Sequence, residues 1–154
     1  MSVATTDIEA VTTSVFESML ETTLIPGPPP SPAEGPSVAG VIRLRGAYPG
    51  EVVVEMSVPL LQKAAVAMFQ LPEAELEAEH LDDALREITN MIGGNIKCLV
   101  PPPTTLSLPE ILSEEHKKYL LPPSSHAIFH FGGAPVLVRL YRDMVSVDLN
   151  QSNG

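Results

Sequence analysis

The chain has 154 residues, 44% of them hydrophobic and 18% charged, with 19 Asp and Glu against 9 Lys and Arg for a formal charge of -10. That composition is globular rather than disordered, and the length suits one hydrophobic core, so a single domain over residues 1–154 is expected. Such an acidic balance disfavours nucleic acid and anionic membrane surfaces, and no apolar run reaches the roughly 18 residues that span a bilayer. The one cysteine, Cys98, cannot close an internal disulfide, and MSVATTDIEA lacks the basic and apolar regions of an export signal. A cytoplasmic protein is therefore expected.

From Asp7 to about Thr23, Ile8, Val11, Val15 and Met19 recur at helical spacing, and Thr6 with Glu9 forms a capping-box signature. The proline- and glycine-rich segment from Pro26 to Pro36 sustains neither helix nor ladder and predicts a surface loop. Val38–Arg45 and Glu51–Val58 are rich in β-branched residues and are joined by GAYPG, which predicts an antiparallel hairpin. Helical character returns over Pro59–Leu71, with Ser57 as its cap. The acidic PEAELEAEH that follows reads as a solvated connection, and a long helix is predicted from Leu81 to about Val100. After Pro101–Pro103, TTLSLPEIL predicts a short strand ending at Pro109 and SEEHKKYL a surface helix. The closing strands are predicted at His126–Phe131 and Pro135 to about Leu149, linked by GGAP. The fold class that results is α+β, long helices packed on a largely antiparallel sheet.

The long helix carries the chemistry. At about 100° per residue, Leu81, Leu85, Ile88, Ile92, Ile96 and Leu99 form one apolar stripe that keeps its phase through Gly93 and Gly94, so the helix is expected to continue through both glycines. On the other side lie Asp83, Glu87, Asn90 and Gly94. Glu87 and Asn90, at i and i+3, can address one object together, and Gly94 leaves low ground beside them.

The stretch DALREITNMIGGNIK, Asp83 to Lys97, resembles the E-x-x-N helix of the CheC/CheX chemotaxis phosphatases, CheX more than CheC, and SLP at Ser107–Pro109 resembles the family's strand end after that helix. The resemblance implies a CheC/CheX-like fold and hydrolysis of the phosphoaspartate of a CheY-like response regulator. Glu87 and Asn90 match the catalytic positions: Asn90 would orient the attacking water, and Glu87 would hold the partner through its active-site lysine. Asp83, Gly93, Gly94 and Lys97 are expected to meet the partner, the glycines by letting its loops approach. No metal or cofactor is expected on this chain, the Mg belonging to the receiver domain. The first helix offers Glu17 with Leu20, not Asn, three residues on, so one active centre is implied, as in CheX, and a homodimer is expected. The rival reading is a noncatalytic receiver-binding adaptor or a flagellar-switch-like module.

Other constellations are weaker. His126 and His130 share a strand face by even spacing, but a metal would need further ligands. Cys98 reads as a buried structural thiol. No P-loop or nucleophile-elbow motif occurs.

Overall fold

A computed structural model describes residues 3–20, 25–26, 37–112, 125–131 and 134–142. The elements are α1 (Thr5–Leu20), β1 (Ile25–Pro26), β2 (Ser37–Gly46), β3 (Gly50–Ser57), α2 (Val58–Phe69), a 3-10 turn (Glu73–Glu75), α3 (Ala78–Lys97), β4 (Thr104–Leu106), β5 (Glu110–Leu112), β6 (Ser125–Phe131) and β7 (Ala134–Arg142). Among the described residues the strands form one antiparallel sheet in the order β1-β6-β7-β3-β2-β4, with β5 also on β2. This is the expected α+β arrangement, with three α-helices among the described residues packed on a sheet.

The predicted hairpin forms, with Ser37 opposite Ser57 and Leu44 opposite Gly50. Gly46 leaves β2 at φ 112, a conformation that glycine adopts without the steric cost of a Cβ. The neighbouring Ala47 N–H donates to Pro103 O at 2.9 Å. β3 then pairs with β7 from Gly50–Arg142 to Met56–Val136, so two strands far apart in the chain meet at the centre of the sheet.

Alternation sorts the two faces. Ile42, Leu44, Val52, Val54, Met56, Val136, Val138 and Leu140 belong to the large core shared with the helices. On the other face Ala39, Val41 and Val53 form a second cluster backed by Leu112 and Tyr141. That face is edged by charge pairs: Arg139 meets Glu55 at 3.0 Å and Arg43 meets Glu51 at 3.5 Å. Burial, with Glu51 and Glu55 nearby opposing the effect of Arg139, raises the Tyr141 phenol above its ordinary value.

Local starts and stops differ in detail from the sequence reading. Ser57 caps α2 as expected, its Oγ accepting from Leu60 N–H at 3.3 Å. In α1, however, the Thr6–Glu9 box is not the cap: the helix opens at Thr5, and the Asp7 carboxylate accepts the Ala4 N–H at 3.0 Å. The acidic connection is partly structured, and α3 begins at Ala78 because His80 Nδ1 accepts the Glu77 N–H at 2.9 Å. TTLSLPEIL is two short strands, not one: Ser107 interrupts them with its N–H donating to Arg43 O at 2.9 Å and its Oγ accepting Arg43 N–H at 2.9 Å. Residues 27–36, the SEEHKKYL segment and the strand end beyond Arg142 lie outside the described residues.

Candidate functional site

α3 is amphipathic with its apolar side seated over β2. Ala84, Leu85, Ile88, Thr89, Ile92, Gly93 and Ile96 are buried, and the helix runs unbroken through Gly93 and Gly94 to Lys97, as the phase of the apolar stripe predicts. Close approach to the sheet depends on two small residues. A Cβ on Gly40 would collide with Thr89 Oγ1, and one on Gly93 would stand 2.7 Å from Ile42 Cγ2. Thr89 satisfies its buried hydroxyl by donating to Leu85 O at 2.7 Å.

The opposite side faces solvent. Asp83, Glu87, Asn90 and Lys97 are exposed and Gly94 is partly so. Neither Glu87 nor Asn90 is held by another described residue, so both polar ends are available to an incoming group. At i and i+3 their Cβ atoms are roughly 5–6 Å apart. Nothing lies within 4 Å of a Cβ built on Gly94. The amide and the carboxylate therefore stand beside bare helix backbone.

Two sequence expectations need correction here. Gly93 does not open the surface: it is buried, and its missing side chain admits Ile42. Cys98 is exposed at the C-terminal cap of α3 rather than buried, since at about 100° per residue it stands on the side away from Ile92 and Ile96. Asp83 is exposed as expected and pairs with Arg86, whose Nη1 lies 3.4 Å from its Oδ1 on the same helix. Two features carry no clear signal in the sequence. One is the cap supplied by His80, whose ring also packs 5.2 Å from that of Phe69. The other is Leu108, 83% exposed between β4 and β5, held out by the anchored Ser107. A Ser beside Leu-Pro gave a strand-end signal but not this double anchor.

Among the described residues no three or more His, Cys, Asp and Glu side chains converge to hold a metal ion. The backbones of His126 and His130 pair with Arg139 and Pro135 of β7, while their side chains lie outside the described set. Among the described residues no helix is long and apolar enough to cross a membrane.

The family model described as "Chemotaxis phosphatase CheX" matches residues 38–131, more than half of the chain, including the hairpin from Val38 onward, α3 and the interrupted edge. The chain belongs to the CheX family. Solved structures share the fold. The chemotaxis protein CheX from Vibrio vulnificus superposes with a TM-score of 0.70 at 21% identity, over 89% of this chain and 94% of that one. The CheX of the CheX–CheY–BeF3–Mg complex from Borrelia burgdorferi gives 0.68 at 20% identity, over 89% and 96%. A CheC-like superfamily protein from a Shewanella species gives 0.66 at 20%, over 91% and 97%. A comparison with curated proteins finds no match. The CheX assignment rests on the family model, and the structural likenesses supply the architecture.

Proposed function

We propose that this CheX-family chain is a phosphatase that hydrolyses the phosphoaspartate of a CheY-like receiver domain, with Glu87 and Asn90 as its catalytic residues. The observation that carries the reading is the pairing of an exposed, unengaged carboxylate and carboxamide one helical turn apart, beside the open backbone of Gly94. Family membership supports it, as does the likeness to a CheX solved together with CheY, BeF3 and Mg.

The residue types suit the chemistry. Water attacks phosphorus in line, the bond from phosphorus to the aspartyl oxygen breaks, and the products are a free aspartate carboxylate and inorganic phosphate, with the proton of water passing to phosphate or solvent. Positioning and electrostatics dominate such transfers. A carboxamide both donates and accepts, so Asn90 can align the water without repelling phosphoryl oxygens, whereas a second carboxylate there would add repulsion. Glu87 meets a cation of the partner, its active-site lysine, in a charge-assisted contact. The Mg that neutralises the phosphoryl group belongs to the receiver domain. The same reading places the protein in the cytoplasm as a homodimer, which light scattering on the purified chain would check.

The test is the decay of an aspartyl-phosphorylated CheY-like receiver with and without the chain. Wild type should accelerate decay, Asn90→Ala should abolish the acceleration while largely keeping binding, and Glu87→Ala should weaken binding too. Binding by wild type with no acceleration would replace the enzyme with a receiver-docking adaptor.

A further inference from the structure

We propose that Lys97 is a third substrate contact, an ammonium that reaches back over Gly94 to the phosphoryl oxygens of the bound aspartyl phosphate. The inference rests on the phosphatase reading above and deepens it. Lys97 is the last residue of α3 and is exposed. It lies seven positions beyond Asn90, about 700° of rotation and so within about 20° of the same line on the helix surface. The separation along the axis is about 10 Å, with Gly94 in between.

Helical side chains lean toward the N-terminus and cover the turn preceding their own Cα. The turn that Lys97 leans over is the one bearing Gly94, where nothing lies within 4 Å of the Cβ position. A side chain at 94 would close that lane. Its absence leaves a path from the lysine stem toward the carboxamide of Asn90, with room for a phosphoryl group between them. The buried Gly93 has a packing reason in Ile42, whereas Gly94 has none inside the protein.

The charge is available as well. Arg43, Arg86 and Arg139 face carboxylates and Arg142 lies over the Tyr48 ring at 4.8 Å. Lys97 makes no ion pair with the described residues. A cation left unpaired on the site face of a chain with a net charge of -10 is well placed to receive an anion, and the dianionic phosphoryl group is the anion that this site meets.

The decisive measurement compares wild type, Lys97→Met, Lys97→Arg and Asn90→Ala against one CheY receiver. Affinity is read for the receiver loaded with beryllofluoride and Mg and for the unloaded receiver, alongside acceleration of phosphoaspartate decay. Lys97→Met should weaken binding of the loaded receiver about tenfold while changing the unloaded affinity less than about twofold, and Lys97→Arg should restore most of the loss. Equal weakening for loaded and unloaded receiver, or no weakening at all, overturns the contact while leaving the phosphatase reading intact. Failure of wild type itself to accelerate decay takes down both.

Discussion

Gly93 sits directly against Ile42, with its Cβ position 2.7 Å from Ile42 Cγ2, whereas the Cβ position of its neighbour Gly94 meets nothing within 4 Å. The two glycines therefore serve different purposes. Ile42 Cγ2 is attached to the stiff branched Cβ of a strand residue and cannot swing aside. Gly93→Ala should lower stability by roughly 1–2 kcal/mol, the overpacking cost exceeding the gain in helix propensity. Gly94→Ala should raise it by about 0.5–1 kcal/mol. Urea denaturation of the two variants separates them by sign, and in the receiver assay Gly94→Met should slow dephosphorylation despite its better-formed helix.

A second contact of the same kind joins Gly40 to Thr89. Gly40→Ala should cost about 1–3 kcal/mol by driving a methyl into the Thr89 hydroxyl. Thr89→Ala alone should cost about 1 kcal/mol through the lost bond to Leu85 O. In the double variant the new methyl occupies the vacated space, so the combined loss should fall short of the sum by about 1 kcal/mol. Additive losses would mean that α3 shifts as a body instead.

The sheet hairpin, the Ser57 cap and the continuity of α3 were legible in the sequence because each depends on local signals: β-branched runs, a serine before a proline, and an apolar phase carried across Gly93 and Gly94. The candidate pair was legible too, since periodicity alone sends Glu87 and Asn90 to the side opposite Ile88 and Ile92. What could not be read depends on tertiary neighbours. Which of two adjacent glycines is buried is decided by Ile42, which is distant in sequence. The break at Ser107 is decided by the N–H and C=O of Arg43, which is distant in sequence, and Cys98 is exposed at the cap that follows Lys97. The cap from His80 went unseen because an imidazole is an unusual acceptor for a helix N-terminus.

Two serines hold chain turns in place and should respond alike. Ser57→Ala removes the oxygen that accepts Leu60 N–H, and Ser107→Ala removes the one that accepts Arg43 N–H. Each should lower stability by about 1 kcal/mol. Hydrogen exchange distinguishes them: faster exchange should appear at Leu60 in the first variant and at Arg43 in the second.

Two buried hydroxyls, Thr12 Oγ1 and Tyr141 OH, have no hydrogen-bond partner among the described residues. Thr12→Val and Tyr141→Phe should each leave stability unchanged or raise it by about 1 kcal/mol at pH 7. Tyr141 adds a pH signature. Its folded-state pKa is raised above the ordinary value of 10.0, so the folded state holds the proton more tightly than the unfolded chain. The stability tied to that proton is complete below the unfolded value and is lost as pH rises through the higher folded one. Wild type should therefore lose stability above about pH 10 more steeply than Tyr141→Phe, as read from urea midpoints across the alkaline range.

The pairing of β3 with β7 has a consequence for how the protein is made. Every residue needed to build α3 and its exposed pair is synthesised before β7, yet one side of β3 has no hydrogen-bonding neighbour until Ala134–Arg142 arrive. The chain thus acquires its chemical groups early and its architecture late, so a chain stopped after α3 would carry Glu87 and Asn90 on an incomplete scaffold with an open central strand, a species prone to pair with whatever strand it meets first.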